Sequence, residues 1–194
     1  MIIGRRVRLR QPERSSRDHE ILVGWRNDPW AKAFFFEEEP ISLESHLRWY
    51  DQVAQDRSQR YYVIDALLEP GTVDHACDPS VLIGTISLPN IDWRNRTAEY
   101  GRFLIGHPDY RGGGYGKEAE FLLMDYAFNH LNLNRVWGDV LAGNQVALEL
   151  DQQMGFRQEG TLRQQVFKNG AYLDVIRVGL LAEDFRRVRD NLRR

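Results

Sequence analysis

A glycine-rich segment between a strand pattern and a helix pattern is the feature that most restricts how this chain can fold. The sequence Arg-Gly-Gly-Gly-Tyr-Gly-Lys occupies residues 111–117, after a strand-like run over 98–106, and an apolar helix pattern begins near Tyr115. Glycines let backbone N–H groups approach an anion closely, and the first turn of a helix leaves its own N–H groups unpaired. Arg111 adds a fixed positive charge beside them. The order of strand, glycine-rich turn and helix therefore predicts a phosphate-binding loop.

The spacing of this loop excludes two common kinds of phosphate site. A Walker A loop requires Ser or Thr after its Gly-Lys pair, but Lys117 is followed by Glu118, and Arg111 stands where the first glycine should be. A dinucleotide fingerprint requires a third glycine where this chain has Lys117, and it belongs in the first strand–helix–strand unit. The remaining pattern is Arg-x-x-Gly-x-Gly, formed by Arg111, Gly114 and Gly116.

That pattern resembles the pyrophosphate-binding loop of the GNAT superfamily, the acyl-CoA-dependent N-acetyltransferases. Further segments resemble the same superfamily: Asn144-x-x-Ala147-x-x-Leu150 with Gly155-Phe156, Trp25-Arg26-Asn27-Asp28, and Ile41-Ser42-Leu43-x-x-His46. They are similar to the ribosomal-protein N-terminal acetyltransferase branch, and most similar to its amino-sugar acetyltransferases of the pseudaminic-acid type. The resemblance covers roughly residues 5–183. It implies an acyltransferase.

Composition indicates one globular unit without nucleic-acid or metal chemistry. A chain of 194 residues with a net charge of −2 predicts a single domain over 1–194, with a core over about 5–183 and a C-terminal helix over 184–194. That charge gives no electrostatic reason to expect a nucleic-acid partner. Cys77 is the only cysteine, which excludes an internal disulfide, and no Cys/His cluster has zinc spacing, so no metal is expected. We expect a cytoplasmic protein with no membrane partner, because neither a signal segment nor a membrane-spanning run is present.

Hydrophobic periodicity predicts alternating helices and strands along the whole chain. The predicted helices are 18–27, 43–54, 115–131, 145–154 and a last amphipathic helix, and the predicted strands are 6–10, 61–67, 81–88, 98–106, 135–142, 156–167 and 172–181. Residues 69–80 are expected to form a polar loop that carries Cys77. The pattern predicts an α/β fold with helices on both faces of a mixed sheet. The resemblance adds that this sheet is mostly antiparallel and twisted, with a splayed central pair of strands. The last predicted strand, 172–181, is either an edge for homodimer pairing or covered by the final helix.

The resemblance implies a defined position for acetyl-CoA, the expected co-substrate. Its pantetheine arm lies between the strand ending at Gly106 and the strand 135–142, and it pairs with the backbone of Phe103, Leu104 and Ile105. A backbone N–H near Leu104 or Ile105 is placed to hold the thioester oxygen as this oxygen gains charge. The pyrophosphate is expected to contact Arg111, Gly112, Gly113, Gly114, Tyr115, Gly116 and Lys117. Asn144 binds the pantetheine, caps the helix after it, or does both.

Three acidic residues are candidates for the proton transfers. An amine with a lysine-like pKa needs about 4 to 5 kcal/mol to become neutral at pH 7, so a carboxylate must accept its proton. Glu99 lies on the expected cofactor strand, in phase with Phe103 if no bulge intervenes, and Asp139 lies on the neighbouring strand. We favour Asp139 slightly, because the amino-sugar members of the branch commonly carry an acid there. Asp151 stands where the family usually has a tyrosine that protonates the departing thiolate. It can serve only if burial raises its pKa; otherwise another donor serves, with Tyr115 and His107 as the possible groups, or the thiolate leaves unassisted.

The acceptor is expected to be a small-molecule amine, with a nucleotide-linked amino sugar favoured. Trp25, Arg26, Asn27 and His46 are the candidate acceptor-binding residues, with the arginine and histidine placed for a nucleotide phosphate. Two alternatives remain open. One is acetylation of protein N-termini, and the other is a non-catalytic acyl-CoA-binding module, which is suggested only by Asp151.

Overall fold

The computed structural model describes residues 1–14, 17–68 and 80–192. The loop predicted around Cys77 therefore lies outside the described residues, apart from Ser80. The helices are α1 (Asp18–Asn27), α2 (Pro29–Lys32), α3 (Leu43–Gln55), α4 (Tyr115–Asn129), α5 (Gln145–Met154) and α6 (Ala182–Leu192). The strands are β1 (Ile2–Ile3), β2 (Val7–Arg10), β3 (Arg60–Leu67), β4 (Ser80–Leu88), β5 (Thr97–Glu99), β6 (Gly101–Ile105), β7 (Arg135–Leu141), β8 (Arg157–Lys168) and β9 (Ala171–Leu181).

These strands form two sheets. The first has the order β1-β2-β3-β4-β6, and the second has the order β5-β7-β9-β8. All neighbours are antiparallel except β5 and β7, which are parallel. This arrangement confirms the predicted mixed and mostly antiparallel α/β fold.

The two sheets separate where β5 passes into β6. The N–H of Tyr100 still donates to the carbonyl of Trp137 on β7, at 2.7 Å. From Gly101 onward the chain pairs with β4 instead, and β6 becomes the edge of the first sheet. The predicted splay between β6 and β7 is therefore present, although the expected single strand over 98–106 is divided in two.

A bulge in β6 changes which side chains share a face. Gly101 lies opposite Ser87 and Leu104 lies opposite Thr85, so β6 carries one extra residue between these pairs. The extra residue is Arg102, whose φ is 50°. Such a bulge shifts the alternation of side chains by one position. The expectation that Glu99 and Phe103 are in phase is therefore wrong.

Helices cover both faces of the first sheet, because β3 alternates its apolar side chains. Tyr61 and Val63 pack with Leu22 of α1 and with Tyr50 and Val53 of α3. On the opposite face, β3 packs against the buried face of α4, with members that include Tyr62, Ile64, Ala119, Leu123, Met124 and Ala127. The helix α4 is thus held against the sheet close to the splay, which positions its N-terminus beside the end of β6.

Helix ends were well indicated by the sequence. The bounds predicted for α1 and α5 are confirmed, and Ser42 caps α3 through a reciprocal pair of hydrogen bonds with Ser45. The last helix begins at Ala182, two residues before the predicted boundary.

The dimer edge expected at residues 172–181 is corrected by the strand order. β9 pairs with β7 on one side and with β8 on the other, so β8 is the edge strand. Homodimer formation stays a prediction. Within the described ranges, no helix is long and apolar enough to cross a membrane.

Candidate active site

A cavity of about 390 Å³ opens at the splay between the sheets. It is lined by residues from four regions of the chain: Arg26, Phe34, Phe35, Phe36, Glu37, Pro89, Asn90, Glu99, Tyr100, Gly101, Arg102, Phe103, Gly138, Asp139, Val140, Asn144, Ala147 and Asp151. The three acids singled out from the sequence all belong to this lining, although Glu99 and Asp151 are 52 positions apart in the chain. The fold therefore brings the candidate proton-transfer groups to one place.

The glycine-rich loop forms an anion cradle at the start of α4. Gly112 and Gly114 have φ values of 74° and 81°, a left-handed conformation that favours glycine. Gly114 directly precedes the helix, so the N–H groups of the first turn, from Tyr115 to Lys117, have no intrahelical acceptor. Lys117 itself donates to the side chain of Gln153 at 3.0 Å. These N–H groups, at the positive end of the helix dipole, suit a pyrophosphate.

Arg111 is fixed at the end of β6 rather than extended across the loop. Its guanidinium donates to the carbonyls of Ile105 and Gly106, at 3.1 and 2.6 Å. It also lies 3.5 Å above the ring of Trp30. These contacts hold a positive charge beside the cradle.

A second arginine, Arg6, also contacts the loop. Its guanidinium donates to the carbonyl of Gly113 at 3.0 Å and pairs with Glu118 at 3.2 Å. It lies 4.9 Å from the ring centre of Tyr115. No sequence pattern indicated this contact, because residues 6 and 113 meet only when β2 packs beside α4.

The free edge of β6 offers backbone groups to a ligand. The N–H of Gly106 donates to Ile83 on β4, and the N–H groups of a strand alternate between its two edges. By this alternation the N–H groups of Phe103 and Ile105 point toward the splay, while that of Leu104 points toward β4. An amide-containing chain such as pantetheine fits this edge, because it satisfies groups that otherwise lack a strand neighbour. Of the two N–H groups predicted to hold the thioester oxygen, that of Leu104 therefore points away from the ligand, and that of Ile105 points toward it.

Asn144 lies at the opposite wall of the splay and caps α5. Its side-chain oxygen accepts from the N–H of Ala147 at 3.3 Å. This is the capping role weighed from the sequence. Since Asn144 also lines the cavity, its amide remains available to a ligand.

Asp139 is held in a bidentate ion pair. Both of its oxygens accept from the guanidinium of Arg177, at 2.8 and 2.6 Å. The same guanidinium lies 4.5 Å from the ring centre of Trp137. A carboxylate with both oxygens bound to an arginine is a weak proton acceptor, since the ion pair must be disturbed before it takes a proton.

Glu99 is in a freer environment. Its Oε2 accepts from the side-chain amide of Asn90 at 2.6 Å, and among the described residues no hydrogen bond reaches Oε1. It lies at the end of β5, immediately before the splay. The geometry thus favours Glu99 over Asp139 as proton acceptor, which reverses the preference drawn from the sequence.

Asp151 lies at the inner end of the cavity, with 3% of its surface exposed. Burial raises its pKa to about 7, while its interaction with Glu120 acts in the opposite direction. A pKa raised by burial is what Asp151 needs in order to act as a proton donor at neutral pH.

Of the four residues predicted to bind the acceptor, only Arg26 lines the cavity. Trp25 packs against Gly106, where an added Cβ would meet its ring at 2.1 Å. The amide of Asn27 is used in two hydrogen bonds with the backbone of Ile41, at 2.8 and 2.9 Å. The geometry therefore does not support acceptor binding by Trp25 or by Asn27. The side chain of Trp25 packs within the fold, and that of Asn27 holds the backbone at Ile41.

His46 is also corrected, because it is buried between α1 and α3. Its Nε2 lies 3.1 Å from Nδ1 of His19, and its ring packs on that of Trp49. Burial lowers the pKa of His46 to about 4, so it is neutral at physiological pH and does not attract a phosphate.

Three consecutive phenylalanines, Phe34 to Phe36, also line the cavity, and a buried lysine holds the segment that carries them. The ammonium of Lys168, at the β8–β9 turn, donates to the carbonyls of Lys32 and Phe35. The N–H of Asn169 donates to Glu38 at 2.9 Å. The hairpin thereby fixes the segment after α2 over the cavity. The sequence reasoning missed Lys168, because a lysine beside a turn is normally exposed.

We expect Lys168→Met to weaken acceptor binding without affecting acetyl-CoA. Methionine keeps an unbranched stem but removes hydrogen bonds from an ammonium, each worth about 1.5 to 3 kcal/mol. The acceptor KM should rise about tenfold, the acetyl-CoA KM should stay unchanged, and the melting temperature should fall. Lys32→Met is the matched control, since only the carbonyl of Lys32 takes part. Equal effects of the two variants on acceptor KM would contradict this role for Lys168.

Comparison with known proteins identifies relatives over most of the chain. The family model described as an acetyltransferase (GNAT) domain matches residues 6–157. The spermidine N(1)-acetyltransferase of Vibrio cholerae is 28% identical over 177 residues, which cover 91% of this chain and 94% of that protein. The putative ribosomal N-acetyltransferase YdaF of Bacillus subtilis is 30% identical over 179 residues, 92% of each chain. The acetyltransferase PseH of Campylobacter jejuni is 29% identical over 144 residues, 74% of this chain and 80% of that one.

A solved structure extends the same likeness to three dimensions. The crystal structure of the Vibrio cholerae spermidine N-acetyltransferase in complex with CoA and spermine superposes with a TM-score of 0.81 at 27% identity. The match covers 93% of this chain and 98% of that chain. The fold of this chain is therefore similar over most of its length to that of a protein whose structure was solved with CoA bound.

Proposed function

The chain belongs to the GNAT acetyltransferase family, and from that premise we propose that this acetyl-CoA-dependent N-acetyltransferase acetylates a small aliphatic di- or polyamine. The observation that carries the acceptor class is the wall of the cavity. It combines four carboxyl side chains, Glu37, Glu99, Asp139 and Asp151, with the three phenylalanines. Carboxylates attract ammonium groups, and aromatic rings accept both methylenes and cations. The spermidine acetyltransferases among the relatives support the same class.

In this proposal the backbone and the cradle hold acetyl-CoA. The N–H groups of Phe103 and Ile105 pair with the pantetheine amides, and Asn144 contacts the arm from the other side. Gly112 to Lys117 bind the pyrophosphate, with Arg111 and Arg6 balancing its charge. When bound, acetyl-CoA supplies an activated acetyl group.

Glu99 then prepares the amine. Its free oxygen lies on the cavity wall, where it accepts a proton from the incoming ammonium, and Asn90 fixes its orientation. Asp139 has an electrostatic role, because Arg177 occupies both of its oxygens. Asp151, at the inner end, is the donor to the departing sulfur.

A nucleotide-linked amino sugar is the second candidate acceptor. It is favoured by two guanidinium groups in the lining, those of Arg26 and Arg102. Arg102 donates to the side chain of Gln59 at 3.3 Å and lies 5.1 Å from the ring centre of Trp49. A diphosphate at the mouth of the cavity would find two cations there. The similarity to PseH agrees with this candidate.

A panel of acceptors separates these possibilities. We expect spermidine and the C4–C5 diamines to give kcat/KM at least about tenfold above amino-sugar nucleotides and above Ser- or Ala-starting peptides, since the preference follows the acidic lining. The measurement is thiol release from acetyl-CoA at matched concentrations. Faster turnover of an amino-sugar nucleotide would transfer the proposal to the second candidate, and peptide turnover would favour N-terminal acetylation. Acetyl-CoA binding without turnover of any amine would favour a binding module.

A further inference from the structure

A cluster of buried acidic groups lies behind the cavity, and the reaction as described uses only one of them. Glu120 of α4 has no exposed surface and does not line the cavity, whereas Asp151 of α5 does. Tyr100, at the junction of β5 and β6, completes the cluster. In the described part of the chain, four of their atoms are buried without a hydrogen-bond partner: both carboxyl oxygens of Glu120, Oδ2 of Asp151 and the hydroxyl of Tyr100.

Two buried carboxyl groups at one site destabilise the folded state. An unpaired buried polar group costs about 1 to 3 kcal/mol, and two carboxylates close together cannot both be ionised. Burial raises the pKa of Glu120 well above its usual range, and the negative charge of Asp151 raises it further. The Tyr100 hydroxyl also stays protonated, because burial and the two carboxyls raise its pKa. Lys117 is the cation that acts on Glu120 from the surface, and its effect is the smallest. The pair therefore keeps one proton at neutral pH.

We propose that Glu120 and Asp151 form a proton-sharing pair, in which Glu120 keeps Asp151 supplied with the proton that it gives to the departing CoA sulfur. The inference rests on the proposed function and assigns a role to a residue that does not touch substrate. Glu120 acts through Asp151 and is a positioning residue. In this arrangement the pair takes over the task of the tyrosine that the family usually has at position 151.

The step balances in atoms and electrons. The nitrogen–carbon bond forms and the carbon–sulfur bond breaks, with its electron pair going to sulfur. The shared proton passes from Glu120 through Asp151 to the sulfur and neutralises the thiolate. The amine nitrogen loses two protons on becoming an amide, one to Glu99 and one to water, and the pair regains one from water.

The pH profile of Glu120→Gln tests the pair. In the wild-type enzyme the last shared proton is held strongly, so kcat should stay level well above pH 8. In the variant, Asp151 has no partner to resupply it, so we expect its proton to be lost as the pH rises above neutrality. We expect kcat to be nearly normal at pH 6 and to fall at least about tenfold by pH 8.5. Asp151→Asn should lose kcat at every pH. Glu149→Gln, on the exposed side of α5, is the matched control.

An isotope-edited infrared titration of the carboxyl groups gives a readout that does not need turnover. We expect the wild-type protein at pH 8 to show a protonated carboxyl band that disappears in Glu120→Gln and shifts in frequency in Asp151→Asn, where Glu120 has lost its carboxyl partner. A Glu120→Gln defect that is equal at all pH values, or the absence of this band from the wild type, would overturn the pair. If no amine is acetylated, the proposed function is contradicted. The infrared titration still decides whether Glu120 and Asp151 share a proton.

Discussion

Replacing Glu99 by Gln should reduce kcat/KM for the amine about 100-fold or more, with little change in the affinity for acetyl-CoA. General base catalysis by one side chain typically contributes a factor of about 10² to 10⁴. Glutamine keeps the size of the side chain and still contacts Asn90, so the loss reports the missing proton acceptor. The measurement is the initial rate of thiol release at saturating acetyl-CoA.

The size of this loss should depend on the pKa of the acceptor. An alkylamine is almost fully protonated at pH 7, whereas an aromatic amine is already neutral and has no proton to lose before it attacks. The Glu99→Gln defect should therefore shrink to within about threefold for such acceptors. Asp139→Asn is the matched comparison, because it removes a carboxylate from the same wall. We expect it to lower the melting temperature by leaving Arg177 without its ion pair, and to lower kcat/KM less than Glu99→Gln does. The opposite ranking of the two variants would restore Asp139 as the base.

Local chemistry explains why the loop and the helix caps could be predicted from the sequence. A left-handed backbone before a helix needs glycine, and Gly114 stands at that position. Asn144 and Ser42 precede helices that they cap. Each of these features depends on residues within a few positions of one another, so a linear pattern contains all the information needed. Glu99, Asp139 and Asp151 could be assigned to one site only because the family resemblance implied a gap between two neighbouring strands.

Contacts between distant segments could not be predicted in the same way. The ion pair between Asp139 and Arg177 depends on the register of β7 against β9. The hydrogen bonds of the Lys168 ammonium depend on where the β8–β9 hairpin meets the segment after α2. The bulge at Arg102 is a backbone conformation that arginine rarely adopts, so no residue pattern indicated it.

Glu120 is the case in which the sequence did contain a signal. It lies three and four residues before Leu123 and Met124, both of which are fully buried. Helical spacing therefore put a carboxyl on the apolar stripe of α4. A charged residue on such a stripe is either exposed by a local distortion or kept for chemistry. In the structure Glu120 is buried, and the proposed proton-sharing pair with Asp151 accounts for that burial.

Replacing Gly116 by Val should raise the KM for acetyl-CoA about 100-fold. An added Cβ would lie 3.2 Å from Cζ of Phe103 and 3.5 Å from Cγ1 of Ile105, and the two further methyl groups of valine would tighten this contact, so we expect the first turn of α4 to shift away from β6. The N–H groups of that turn would then miss the pyrophosphate. Losing about two hydrogen bonds to a charged group costs roughly 3 kcal/mol, which corresponds to about two factors of ten in affinity. Calorimetric titration with CoA measures the same loss without turnover.

A truncated donor shows whether the loop acts on the pyrophosphate. S-acetylpantetheine contains the thioester and both amides but no diphosphate, so it meets the edge of β6 and never reaches the cradle. Gly116→Val should change its kcat/KM by less than about threefold, because its contacts with Phe103 and Ile105 remain. Gly160→Val, on β8, is the matched control, since nothing lies within 4 Å of an added Cβ there. If the variant lost activity equally with both donors, the substitution would have deformed β6 itself, and the cradle would not be the pyrophosphate site. A loss confined to acetyl-CoA would assign the diphosphate to the first turn of α4.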